Sequence, residues 1–146
     1  MNEPAHPLAE IPFLRALGAR LGATGHGTAE ITLAVVPEHQ NSLGMAHGGV
    51  VMALLDVAMA RAGRTLLADE DGEPMAAVTI EMKTSFFRPA LGDLVAKGRV
   101  LHRSATMVYC EAELIDGGGH VAAKSLGTFK YVRRHHGPSM SKSADG

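Results

Sequence analysis

The segment "NSLGMAHGGVVMALLDVAMA", residues 41–60, joins a polar turn to a long apolar run that contains one carboxylate. The first amides of a helix lack partners within the helix, and the helix dipole gives them a partial positive charge. Gly48 and Gly49 would therefore let an anion approach the backbone closely, as in an oxyanion hole. The alternative is that the two glycines only permit a tight turn and that His47 is a packed turn histidine.

The carboxylate of Asp56 lies in the middle of the same apolar run. A desolvated aspartate costs several kcal/mol unless it is paired, hydrated or used in a reaction. Asp56 therefore pairs with an arginine such as Arg61, caps a backbone amide or does chemistry. Eight residues of helix place Asp56 about 12 Å from Gly48 along the axis. If both act on one small carbonyl, the amide must come from one subunit and the carboxylate from its partner, across antiparallel helices.

The helix that would carry these groups is expected over residues 48–67, because apolar side chains cover every side of it. One curved sheet cannot surround a helix completely, so the pattern also favours a two-fold homodimer, with a dimer of dimers as the alternative. The residues on which this rests are Val50, Val51, Ala53, Leu54, Leu55, Val57, Ala58, Met59 and Ala60.

Alternating apolar residues and short turns bearing glycine or proline predict an antiparallel meander. The fold class is therefore α+β, with a curved sheet of about five strands wrapped around the long helix and a short N-terminal helix, from the spacing of Leu8 to Leu21. We expect one domain over residues 8–133 and a disordered tail over 134–146. The strands are expected near residues 27–36, 75–87, 93–103, 106–116 and 119–132.

The composition argues against several classes of protein. A formal net charge of -1 is too small to attract nucleic acid, and Asp56 and Arg61 interrupt the apolar run before it could span a membrane. Cys110 is the only cysteine, which excludes an intrachain disulfide and favours a reducing compartment. The N-terminal residues lack the pattern of a secretory signal, so we expect a cytoplasmic protein.

The stretch from Asn41 through His47, Gly48 and Gly49 to Asp56 resembles the hotdog-fold acyl-CoA thioesterases, in the phenylacetate-pathway (PaaI-like) branch of the 4-hydroxybenzoyl-CoA thioesterase superfamily. In that family an Asn or Gln precedes the His by six residues, and an acidic residue follows the His by nine, as here. The similarity continues through "AVTIEMKTSFFRPALGDLVAKGRV" and "AAKSLGTFKYV". It implies hydrolysis of an acyl-CoA to a carboxylic acid and coenzyme A.

The resemblance also implies roles for individual residues. The Gly48 amide, in the turn that begins with His47, would polarise the thioester carbonyl, and Asn41 would position the carbonyl or the attacking water. Asp56 of the other subunit would act as general base or as nucleophile, and both roles stay open. Thr79 would hold the water or orient Asp56, although a threonine on the polar side of a strand is equally ordinary.

The substrate brings the phosphates of coenzyme A, and the resembling enzymes hold the nucleotide against basic turns. Arg103 and Ser104, after one expected strand, and Arg88, in "FFRPA", are the candidate contacts. The resemblance implies no metal and no separate cofactor.

Two rival functions share the fold. A non-catalytic acyl-CoA binding or sensing module would be expected to lack the helix carboxylate. A hotdog hydratase would need an Asp and a His close together, whereas His47 and Asp56 are too far apart along one helix. Neither rival matches the sequence as well as a thioesterase does.

Overall fold

The structure, a computed structural model, describes residues 11–67 and 75–133. The expected tail at 134–146, the first residues of the expected N-terminal helix and the acidic segment 68–74 lie outside the described residues. In chain order the elements are helix α1 (Pro12–Leu17), strands β1 (Arg20–Gly25) and β2 (Thr28–Leu33), a short 3-10 turn (Pro37–His39), helix α2 (Gly48–Arg64), and strands β3 (Met75–Phe86), β4 (Leu94–Arg103), β5 (Met107–Ile115) and β6 (Val121–Arg133).

All six strands form one antiparallel sheet in the order β1-β2-β4-β5-β6-β3, and the expected hotdog architecture is confirmed. The long helix α2 packs against β2, β3, β4, β5 and β6. Its buried side chains, together with the inward side chains of the sheet, form one hydrophobic core. The curved sheet therefore surrounds most of the helix.

Among the described residues, no helix is long and apolar enough to cross a membrane.

The N-terminal region differs from the sequence expectation. The helical spacing of leucines runs on to Leu21, but α1 ends at Leu17, because Gly18 adopts a left-handed conformation with φ of 77° and its amide donates to Arg15 and Leu14. Leu21 then lies in β1, a sixth strand that pairs with β2. The helical spacing predicted the wrong element for Leu21, because this side chain packs on the same core from a strand.

The close packing of β4 on α2 depends on a missing side chain. Gly98 faces the helix backbone, and a Cβ atom at this position would overlap the Ala58 carbonyl and lie 2.9 Å from the Met59 amide nitrogen. The neighbouring Lys97 points to the other face of the sheet, where it lies 3.8 Å from Glu30. Gly98 therefore sets how near the sheet can come to the helix that carries Asp56.

We predict that Gly98→Ala destabilises the protein by about 1 to 3 kcal/mol, because the new methyl group must push the helix and the sheet apart. Chemical denaturation followed by circular dichroism measures the change. Lys97→Ala is the matched control on the same strand and should cost less than about 1 kcal/mol, since exposed ion pairs contribute little. Equal stability of Gly98→Ala and wild type would contradict this account of the packing.

Candidate active site

The loop before α2 is held in shape by Asn41. Its Oδ1 accepts hydrogen bonds from the backbone N–H groups of Leu43, at 2.9 Å, and Met45, at 3.2 Å. Two backbone donors fix this end of the side chain as the oxygen, so Nδ2 is the end of Asn41 that can donate to a ligand. A bridge between Gln40 and Ala46 closes the loop. Asn41 therefore has a structural role within the loop and keeps its Nδ2 group as a hydrogen-bond donor.

The histidine of the turn caps the helix. His47 Nδ1 accepts a hydrogen bond of 2.8 Å from the Gly49 amide, which satisfies one of the orphan donors at the start of α2. This acceptor role requires Nδ1 to be unprotonated. The Gly48 amide, one residue earlier, donates to no described residue. The cap therefore leaves Gly48 as the amide able to bind an external oxygen atom.

The Gly48 amide and the Asn41 loop share a cavity of about 420 Å³. Phe86 closes part of it, since a Cβ atom on Gly48 would lie 3.6 Å from the Phe86 ring. Arg88, which follows β3, also lines this cavity. We call this space the amide cavity; it brings together three of the residues proposed from the sequence, Asn41, Gly48 and Arg88.

The carboxylate lies in a different place. Thr79 Oγ1 donates a hydrogen bond of 2.5 Å to Asp56 Oδ1. The register of the sheet explains the contact, because Thr79 pairs with the buried Phe129 of β6 and so points to the same face, toward α2. The bond holds one carboxylate oxygen of Asp56 and leaves the other, Oδ2, able to accept a proton or contact a reacting atom.

Asp56 and Thr79 line a second cavity, of about 380 Å³, which we call the carboxylate cavity. Arg61 and Arg64 of the same helix also line it. The two cavities share no lining residue, and α2 is regular over Gly48–Arg64, so its rise keeps the Gly48 amide and Asp56 about 12 Å apart along the axis. Within one chain, Gly48 and Asp56 therefore face different cavities.

The remaining proposed residues lie elsewhere. Arg103 Nη1 donates to the Leu66 carbonyl at 2.7 Å, and its guanidinium lies 5.8 Å from the centre of the Tyr131 ring. Ser104 Oγ accepts from the amides of Thr106 and Met107, as a turn residue does. Arg103 and Ser104 thus support the end of α2 and the β4–β5 turn, away from the residues that line the amide cavity.

Two features of these cavities, the arginines of the carboxylate cavity and the contact of Phe86 with Gly48, were not predicted from the sequence. Arg64 was not considered, and Arg61 was considered only as an ion-pair partner for Asp56, yet both line the carboxylate cavity. Arg64, eight residues after Asp56, is about 80° from it around the helix, whereas Arg61, five residues after it, is about 140° away, so helical spacing alone does not place Arg61 beside the carboxylate. The contact of Phe86 with Gly48 had no signal in the sequence, because it depends on how the sheet curves.

Cys110, the only cysteine of the sequence, lines neither the amide cavity nor the carboxylate cavity. Cys110 is buried in the core, its Sγ lies 3.5 Å from the Met59 carbonyl oxygen, and burial raises the pKa of its thiol to about 12. Such a thiol is not a nucleophile at neutral pH. Within residues 11–67 and 75–133, no group of three or more His, Cys, Asp or Glu side chains is arranged to hold a metal ion.

Comparison with known proteins gives a consistent result. The family model "Thioesterase superfamily" matches residues 43–123. Human acyl-coenzyme A thioesterase 13 is 32% identical over 105 residues, which cover 70% of this chain and 71% of that protein. The match includes the His47 turn and Asp56.

Solved structures agree with the sequence match. A conserved protein of Pseudomonas aeruginosa has a TM-score of 0.78 at 29% identity, covering 88% of this chain and 100% of that one. A mutant of the phenylacetic acid degradation protein PaaI of Thermus thermophilus has a TM-score of 0.71 at 27% identity, covering 82% of this chain and 98% of that one. The structural similarity therefore extends over most of the chain.

We predict that His47→Ala lowers the free energy of unfolding by about 1 kcal/mol, because the Gly49 amide loses its capping acceptor. Urea denaturation measures the difference. His47→Asn is the matched variant, since asparagine is a preferred capping residue, and it should retain most of the stability. If both variants lose the same stability, or neither loses any, the cap is not what His47 contributes to the helix.

Proposed function

The chain belongs to the thioesterase superfamily, as a hotdog-fold thioester hydrolase of the PaaI-like branch, and we propose that it hydrolyses acyl-coenzyme A at an active site built from two subunits. The acyl group is aryl or medium-chain. Water is the second substrate, the products are a carboxylic acid and free coenzyme A, and no metal or redox cofactor is required.

The first part of the proposed mechanism is polarisation of the thioester carbonyl. The Gly48 amide donates to the carbonyl oxygen and stabilises the negative charge that develops there as the carbonyl carbon becomes tetrahedral. The helix dipole adds to this effect, and a single oxyanion donor typically contributes about 3 to 4 kcal/mol. Asn41 lines the same cavity as Gly48, and its Nδ2 is proposed to position the carbonyl or the water.

The second part is the carboxylate of Asp56, supplied by the partner subunit. As general base it takes a proton from water while the water oxygen bonds to the carbonyl carbon; as nucleophile it forms an acyl anhydride that water then hydrolyses. In either case the carbon–sulfur bond breaks and the thiolate of coenzyme A takes up a proton. The Thr79 bond to Oδ1 supports this role, because it holds the carboxylate in one orientation and leaves Oδ2 to react.

Two features of the single chain support the dimer. The side of α2 that the sheet leaves partly uncovered carries small and apolar residues around the carboxylate, namely Gly49, Met52, Ala53, Asp56 and Ala60. Strand β3 lies at the edge of the sheet, where Val78 and Ile80 are exposed. We propose that two copies pair along β3 and pack these helix faces together, which covers the exposed apolar groups and removes an unpaired strand edge.

The observation that carries the proposal is the separation of the Gly48 amide from the Asp56 carboxylate on one chain. Gly48 and Asp56 line different cavities and are held about 12 Å apart by a regular helix, so a second copy is needed to bring an amide and a carboxylate to one carbonyl. For the phosphates of coenzyme A we favour Arg88 over Arg103 and Ser104, because Arg88 lines the amide cavity and Arg103 already bonds to Leu66.

We predict that Asp56→Asn reduces kcat/KM for acyl-coenzyme A at least about a hundredfold, because asparagine keeps the shape but cannot accept a proton or attack as an anion. Release of free thiol measures the rate, and size-exclusion chromatography checks that the dimer persists. Glu113→Gln, on the outer face of the sheet, is the control and should leave the rate unchanged. Full activity of Asp56→Asn would exclude this carboxylate from the chemistry.

The shared site is tested by complementation. Dimers of Asp56→Ala and of Asn41→Ala are each expected to be inactive, but subunit exchange forms hybrids in which one of the two sites has both residues intact. With equal mixing, half of the dimers are hybrids, so about a quarter of the wild-type activity should return. If subunit exchange is demonstrated by mass spectrometry and no turnover appears, the two residues act within one chain and the shared site is refuted.

A further inference from the structure

The carboxylate cavity is lined by one carboxylate and two guanidinium groups, and the proposed reaction needs only the carboxylate. Asp56 and Thr79 stand at one end, and the arginines Arg61 and Arg64 belong to the last turns of the same helix. Both arginines interact with other groups of the chain, and both also line the cavity that contains the carboxylate proposed to react.

Asp56, Arg61 and Arg64 line the same cavity, with Arg64 about 80° and Arg61 about 140° around the helix from Asp56. Starting from Asp56, Arg61 is about 7.5 Å and Arg64 about 12 Å further along the axis, at a rise of 1.5 Å per residue. The Cα–Cβ bonds of a helix tilt toward its N-terminus, which is the direction of Asp56, and both arginine side chains line the cavity that contains Asp56. A molecule bonded at one end to the reacting carbon would therefore meet the arginines a few carbon atoms away.

The walls between these two ends are apolar and small. Val57 and Ala60 of α2 and Ala76 and Ala77 of β3 line the cavity, and alanine side chains leave its volume of about 380 Å³ open. Ile11 and Pro12, at the start of α1, line it as well. Such a space fits a short methylene chain or one ring, as ligand cavities of this size do.

We propose that the carboxylate cavity binds the acyl group and that the preferred acyl group carries a second carboxylate at its far end, held by Arg61 and Arg64. This inference rests on the proposed function, because it assigns the substrate class of the same site. Guanidinium groups bind carboxylates through paired, charge-assisted hydrogen bonds, and they do so most strongly where water is partly excluded. The substrates are thus monothioesters of dicarboxylic acids with coenzyme A.

Two other uses of the arginines give different experimental results. Cations in the last turn stabilise the helix dipole, in which case their loss lowers stability and affects every substrate equally. If they instead bind the phosphates of coenzyme A, their loss also affects every coenzyme A thioester equally. Only contact with the acyl group makes the effect depend on whether the acyl group bears a charge.

The experiment compares adipoyl-coenzyme A with hexanoyl-coenzyme A, which have the same number of acyl carbons and differ in the terminal carboxylate. Wild type is expected to have a higher kcat/KM for the adipoyl thioester, and succinyl and suberoyl thioesters establish the best length. Arg61→Gln or Arg64→Gln should reduce kcat/KM for the best dicarboxylic thioester by about tenfold to a hundredfold, and that for hexanoyl-coenzyme A by less than about threefold.

Two further variants separate recognition from structure. Arg61→Lys keeps the charge but not the paired donors, so it should retain part of the preference. Arg99→Gln, on the outer face of the sheet where Arg99 pairs with Glu111, should leave the preference unchanged. A wild type that favours hexanoyl-coenzyme A, or a loss that is equal for both thioesters in each arginine variant, overturns the proposal.

A binding measurement keeps this result distinct from a failure of the proposed reaction. Isothermal titration of the Asp56→Asn protein with the same two thioesters should show tighter binding of the adipoyl thioester, and the added Arg61→Gln or Arg64→Gln substitution should abolish the difference. If wild type hydrolyses no thioester but this difference in binding is seen, the proposed reaction fails and the arginine contact stands. Equal binding of both thioesters overturns the contact, whatever the activity.

Discussion

The regularity of α2 is the constraint on which the rest of the structure depends. Over Gly48–Arg64 the helix carries an unpartnered amide at its start and a carboxylate two turns later, and no rotation of a side chain can bring the two together. The chain places the two proposed catalytic groups on one regular helix and leaves one side of that helix partly uncovered. The exposed edge of β3 and the small residues beside Asp56 are the surfaces that the proposed dimer would bury.

The sheet positions the chemistry as well as covering the core. Gly98 allows β4 to approach the backbone of α2, and the pairing of β3 with β6 decides that Thr79 faces the helix. The register shifts by one residue between Thr79 and Glu81, so the hydrogen bond to Asp56 lies directly beside an irregularity of the edge strand. A bulge at this point changes the local twist and so adjusts where the Thr79 hydroxyl points.

The sequence predicted the elements well where one pattern dominated. The apolar run with its Gly-Gly start predicted α2, and the separation of Gly48 from Asp56 could be calculated before any coordinates, because a helix has a fixed rise. The register that faces Thr79 toward Asp56 could not be calculated, since β pairing depends on long-range packing. For the same reason β1 was missed, as Leu21 satisfied a helical spacing while packing from a strand. The hydrogen bond from Arg103 to the Leu66 carbonyl could not be predicted from the sequence either, since it joins residues 37 positions apart.

The buried thiol of Cys110 has a consequence for the alkaline range. Its pKa is raised to about 12 in the folded chain from an ordinary value of 9.0, so the unfolded chain releases this proton first as the pH rises. By proton linkage, the stability that the neutral thiol provides is complete below pH 9.0 and declines progressively between pH 9.0 and about 12. A single atom of sulfur in the seam between sheet and helix thus helps to set the upper pH limit of the native state.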